Sequence, residues 1–201
     1  MLASVTEKLN PVLLDIPSEL LGDRVVLRAL RDEHSADLWN AVEASRENLK
    51  HWMPWVNDHN SIDFSREYVR RMQAKWLLRE DLAMGIWRRA DNQFLGATGL
   101  HRIDWTIPAM EIGYWVRPDA EGQGFVTDAV KLLSDFAFRH LHVERLTIRC
   151  DSKNLRSAAV PPRAAFVHEA TLRQERRNAD GNLGDTALFA ITRADFDLLH
   201  A

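Results

Sequence analysis

Residues 117–130 read RPDAEGQGFVTDAV, with Gly122 and Gly124 on either side of Gln123, directly before a helix-like run. Glycines let a large anion come close to the backbone, and the first turn of a helix presents unpaired N–H groups at the positive end of its dipole. A phosphate cradle is one use for such a loop, and a ligand-free tight turn is the other. The spacing matches neither Gly-x-Gly-x-x-Gly nor Gly-x-x-x-x-Gly-Lys-Ser/Thr, which argues against a dinucleotide or a nucleoside triphosphate. Cys150 is the sole cysteine. A nucleophilic role would need a histidine or a cationic setting beside it, and the end of a β run suits a packed small hydrophobe better. His140 and His142 form a pair without third and fourth ligands, so they read as a helix end and no metal is expected. Asn154 and Ser157 lie three apart, on one face if helical; Asn154 is also a favoured N-cap.

These residues need elements to hold them. The run 24–30 (RVVLRAL) is rich in β-branched residues and reads as a first strand. Leu38, Trp39 and Val42 are spaced for one face of a helix. A loop carrying Trp52 and Trp55 follows. A second helix, capped by Ser61 or Asp63, places Phe64, Tyr68, Met72, Trp76 and Leu77 on one stripe. The period then changes. LAMGIWRR and FLGATGLHRI flank a turn at ADNQ, and AMEIGYWV (109–116) is a third β run. After the glycine loop, residues 126–139 form a long amphipathic helix with Ala129, Leu132, Leu133, Phe136 and Ala137 inward. VERLTIRC is a strand, and a short helix from Asn154 stops near Pro161-Pro162. Two strands around ADGN make a closing hairpin.

The order is β, two helices, three strands, helix, strand, short helix, two strands. This predicts a mixed α/β chain with a largely antiparallel sheet of about seven strands, flanked by helices. Residues 1–23 read as an N-terminal extension and residues 24–201 as one domain. The 201 residues carry a formal net charge of −3, so no basic field draws the chain to nucleic acid or to a membrane surface. No apolar run approaches the ~18 residues of a membrane span. A lone cysteine fits a reducing cytoplasm.

The block EIGYWVRPDAEGQGFVTDAV, a strand ending at Cys150, and NLRSAAVPPRAAFVHEATLR together resemble the GNAT superfamily of N-acetyltransferases. More narrowly, they resemble the branch with the RimJ and RimL ribosomal-protein N-terminal acetyltransferases. The resemblance runs from about Arg24 to Phe196. It implies the GNAT fold, its sheet splayed at the cofactor site, and acetyl-CoA as cosubstrate. It implies an amine acceptor, with a ribosomal-protein N-terminus as the branch's example, and allows a homodimer. The backbone of Gly122, Gln123, Gly124, Phe125, Val126 and Thr127 would then hold the pyrophosphate, with the Thr127 hydroxyl adding a bond. Trp115 and Val116 would pair with the pantetheine arm, and an amide there would polarise the thioester carbonyl.

The same resemblance places Asn154 on the pantetheine and Ser157 near the sulfur. Many relatives carry a tyrosine four residues beyond that serine, where this chain has Pro161, so Ser157 or water becomes the proton donor to the thiolate. Ala165 stands where a glycine is usual before Phe166. Glu121 and Val126 depart from the usual loop. Glu111 is the first choice of general base, its alternative being a structural acid beneath the acceptor site; Glu175 is second. The Trp52/Trp55 loop and residues 104–107 would flank the acceptor entrance, or else close the core or a dimer contact. The implied function is direct acetyl transfer in a ternary complex to a protein N-terminal amine. Acetylation of a small amine, or acyl-CoA binding without turnover, are the alternatives.

Overall fold

The computed structural model of the protein describes residues 10–178 and 180–201. One eight-stranded sheet runs in the order β1-β2-β3-β4-β5-β6-β8-β7. The strands are β1 (Glu19–Leu21), β2 (Val25–Ala29), β3 (Leu82–Arg88), β4 (Phe94–Asp104), β5 (Ala109–Val116), β6 (Arg145–Asp151), β7 (Val167–Arg177) and β8 (Leu183–Thr192). All neighbours pair antiparallel except β5 and β6. The count exceeds the seven read from sequence because residues 19–21, within the expected extension, pair with β2. Three residues are too short to show a period.

Helices α1 (Ser35–Leu49) and α2 (Ile62–Leu78) cover one face. Their apolar residues join Val26, Ala83, Trp87 and Phe94 in one cluster. The face of α2 differs from the stripe expected. Ser65 and Val69 are buried, whereas Phe64, Tyr68 and Leu77 are exposed. The stripe runs through the larger residues, but the small Ser65 faces inward, where its hydroxyl meets the buried His59 ring at 2.6 Å.

Helix α3 (Phe125–His140) covers the opposite face, with Ala129, Leu133, Phe136 and Ala137 in the larger core. Two short helices, α4 (Leu155–Ala158) and α5 (Val160–Arg163), close one end. Pro161 and Pro162 do not simply stop α4. They occupy the first turn of α5, where a missing N–H costs nothing. A C-terminal helix, α6 (Arg193–Leu199), packs on the α3 side through Phe196, stacked 4.6 Å from Phe138.

The β5–β6 junction positions the site. Only Ala109, Met110 and Glu111 pair with Arg145, Leu146 and Thr147. Beyond them the two strands separate, and Tyr114, Trp115 and Val116 border a cleft instead of a partner strand.

Candidate acetyl-CoA site

The cleft has a volume of about 1120 Å³. It runs from the glycine loop, across the splayed strands, to α4. Trp115, Val116, Gly122, Gln123, Gly124, Phe125, Val126, Thr127, Asn154 and Ser157 all line it. The residues expected at the cofactor from sequence thus meet in one place. Glu111 lies apart, at the last β5–β6 pair where the splay begins.

The loop is shaped by backbone need. Gly122 has φ +70° and Gly124 has φ +85°, conformations that favour glycine. Gly124 occupies the N-cap of α3, and no side chain caps that helix. Its first N–H groups are therefore left for a ligand. Arg24, at the entry to β2, bonds the Gln123 carbonyl at 3.0 Å and Asp128 at 2.7 Å. The Gln123 side-chain amide donates to the Asp119 carbonyl at 2.7 Å. Both bonds fix the loop from outside, leaving its inner amides toward the cleft.

Glu121 poses an electrostatic problem beside a pyrophosphate. Its carboxylate accepts a 2.5 Å bond from Arg156 on α4, which also lines the cleft. Arg156→Ala should therefore weaken CoA binding several-fold by exposing the uncompensated carboxylate, with the loss shrinking at high salt. Titration calorimetry at two ionic strengths checks this. In the Glu121→Gln protein, Arg156 is released toward the phosphates, and CoA should bind at least as tightly as to the unaltered protein.

At the far end, the Asn154 side-chain oxygen accepts the Ser157 N–H at 3.1 Å, so its capping role is real. The Ser157 hydroxyl lies 3.4 Å from the Tyr114 hydroxyl, and Tyr114 donates to the Ser157 carbonyl at 2.9 Å. The sequence reading missed Tyr114. Pro161 removes the tyrosine expected on the helix side, and a phenol reaches Ser157 from β5 instead. Burial pushes that phenol well above its ordinary pKa, so it stays protonated. Burial pushes the Cys150 thiol up, so it is a neutral thiol and not a thiolate.

Ala165 has φ +65°, which explains the glycine usual there. The turn still forms, with the Ala164 and Phe166 N–H groups bonding the Pro161 carbonyl, at a cost of roughly 1–2 kcal/mol for the left-handed alanine.

Trp52 lines the cofactor cleft, and Trp55 packs 6.3 Å from Trp115. Arg176 of β7 donates to the Trp52 carbonyl at 3.1 Å, so this loop and the closing hairpin meet over the site. Trp105 donates to the Arg79 carbonyl at 2.9 Å and anchors the 104–107 turn to the end of α2.

On the α1/α2 face, Glu111 lies 3.4 Å from both Arg102 and Arg149. Burial raises its carboxyl above the ordinary value, and the two arginines pull the other way. Arg149 also pairs with Glu175 at 3.0 Å, and Glu175 accepts from the Thr186 hydroxyl at 2.7 Å. Glu175 is thus more fully engaged than Glu111. Among the described residues no cluster of metal-ligating side chains occurs.

A splayed sheet, a glycine loop at a helix N-terminus and a cleft between them define a fold built to hold an acyl-CoA. The family model of the acetyltransferase (GNAT) domain matches residues 24–167, and the chain belongs to that family, the acetyl-CoA-dependent N-acetyltransferases. Among curated proteins it is similar to an uncharacterized N-acetyltransferase, p20, of Bacillus licheniformis. They are 28% identical over 177 residues, covering 88% of this chain and 97% of that protein. It is 23% identical to the ribosomal-protein-serine acetyltransferase of Escherichia coli, over 77% of this chain and 85% of that one. Among solved structures, RimL, a ribosomal alpha-N-protein acetyltransferase in complex with coenzyme A, superposes with a TM-score of 0.82 at 22% identity. That match covers 87% of this chain and 97% of RimL.

Proposed function

We propose that the protein moves the acetyl group of acetyl-CoA directly onto a protein N-terminal α-amine. The observation that carries this is the placement of two half-sites around one gap in the sheet. The glycine loop and α4 lie on the cofactor side, and Glu111 stands where the gap begins. The E. coli ribosomal-protein-serine enzyme supports the acceptor class.

Each residue has a task. The amides of residues 123–127 take the pyrophosphate, and Asn154 takes the arm. The exposed backbone at Trp115 and Val116 pairs with the pantetheine and steadies the carbonyl oxygen as charge develops on it. Glu111, desolvated, accepts a proton from the arriving ammonium, so the rate should rise with pH through its raised pKa. The nitrogen bonds to the carbonyl carbon, the carbon–sulfur bond breaks, and the departing thiolate is met by the Ser157 hydroxyl with Tyr114 behind it. The lone Cys150 fits a cytoplasmic enzyme.

The test mixes the protein and acetyl-CoA with N-terminal peptides and small amines, following free thiol. Peptide-dependent CoA release, lowered at least ~10-fold in Ser157→Ala, is the expected result. Release with small amines alone would move the acceptor class, and tight CoA binding without any turnover would leave a binding module.

A further inference from the structure

The acceptor-side face holds a second polar pair that the roles above do not use. His101 on β4 is the direct cross-strand partner of Glu111. Its Nδ1 lies 3.0 Å from both carboxylate oxygens of Asp81, just ahead of β3. A neutral imidazole so placed donates Nδ1–H to Asp81 and keeps the lone pair on Nε2. The Nε2 edge lies along Gly113: a Cβ added there would stand 3.4 Å from Nε2 and 3.1 Å from Cδ2. Gly99, the cross-strand partner of Gly113, gives the same imidazole room, since an added Cβ there would meet Cε1 at 2.8 Å. Two facing glycines thus make a bare floor on which the ring lies, beside Glu111 and on the strand that borders the splay.

We propose that His101, oriented by Asp81, is the second member of a proton path from the acceptor amine and receives the proton that Glu111 takes up. This rests on the acetyl-transfer reading. The physical reason is the need to reset Glu111. It lies between Arg102 and Arg149 and must lose its proton before it can accept another. His101, held by Asp81 at the cross-strand position, offers a base to take it. Glu175, behind Arg149, is a further charge that acts on Glu111. Tyr68 from α2 also faces Asp81; although the side chain is exposed along the helix, desolvation of its phenol, with the Asp81 charge beside it, pushes it up to about 12, so it stays neutral throughout.

The proton balance closes. The ammonium gives one proton through Glu111 to His101, and the amine attacks. The nitrogen's second proton matches the one that the thiolate gains, and His101 then releases its own to solvent.

His101→Asn tests the path, because its side-chain amide keeps a donor for Asp81 but removes the Nε2 base. With unaltered protein and a peptide acceptor as reference, we expect kcat about 10²-fold lower near neutral pH and an unchanged KM for acetyl-CoA. The loss should shrink as pH approaches the amine's own pKa, and free imidazole should restore part of the rate. Asp81→Asn should lower kcat in the same direction by releasing the tautomer. Rates within about 2-fold of wild type in both variants, or a loss that is constant with pH and insensitive to imidazole, would overturn the proposal. Ring ¹⁵N spectra of the unaltered protein give a readout independent of turnover. Neutral His101 as the Nδ1–H tautomer is expected, and a dominant Nε2–H tautomer refutes the dyad. If the unaltered protein shows no turnover on any acceptor, the acetyl-transfer reading falls and the relay with it, while the spectra still decide the tautomer.

Discussion

Gly124→Val should lower the affinity for CoA at least ~100-fold, about 2.7 kcal/mol, in a protein that still folds. Two effects combine. Gly124 has φ +85°, and a β-branched residue is driven out of that region. Its Cβ would also stand 2.8 Å from the guanidinium of Arg24. That arginine bonds the Gln123 carbonyl and Asp128, so displacing it frees the loop from β2 as well as re-aiming its amides. Gly122 supplies the contrast. Its φ is +70°, but no atom lies within 4 Å of an added Cβ, so Gly122→Asn, which tolerates the left-handed region, should cost much less. Calorimetric titration with CoA, alongside a thermal melt, measures both. Unchanged affinity in a folded Gly124→Val protein would remove the loop from the cofactor site.

Glu111→Gln should reduce kcat by about 10²–10³-fold with little change in the KM for acetyl-CoA, because it deletes the proposed proton acceptor and leaves the cleft lining intact. Stability should move the other way. The raised pKa means that the folded state disfavours the ionised carboxyl. Below the ordinary carboxyl pKa the group is neutral in folded and unfolded chains, and this penalty is absent. As pH rises through the folded pKa the penalty becomes fully present, and the uncharged amide of the variant escapes it. The variant should therefore melt at or above the wild-type temperature near pH 8, and lose that advantage near pH 4. A variant that melts lower at both pH values while keeping full kcat would mark Glu111 as a structural acid.

The loop was legible in the sequence because its information is local. Two glycines, a strand before and an amphipathic helix after suffice to aim N–H groups at one point. Asn154 and Ser157 were legible for the same reason, being one helical turn apart. The α1/α2 face around Glu111 was not. His101 meets Asp81 across 20 residues, and the floor of Gly99 and Gly113 exists only once β4 and β5 are in register. Tyr114 was hidden beside Trp115: adjacent strand residues point to opposite faces, and only the splay brings this phenol to Ser157. The α2 face is misread when residue size stands for burial, since Ser65 is inside and Phe64 outside.

The three-residue contact between β5 and β6 has a consequence for what can enter. Past Glu111 the sheet has an open edge in its middle, and an unpaired edge ordinarily recruits any extended chain. Here the gap is flanked by α4 on one side and the residues from Asn48 to Met53 on the other. A polypeptide strand would bring a side chain at every residue against these walls, whereas the amide-bearing arm proposed above would offer strand-like hydrogen bonds with far less bulk. Admission to the gap would then depend on cross-section as well as on hydrogen bonding.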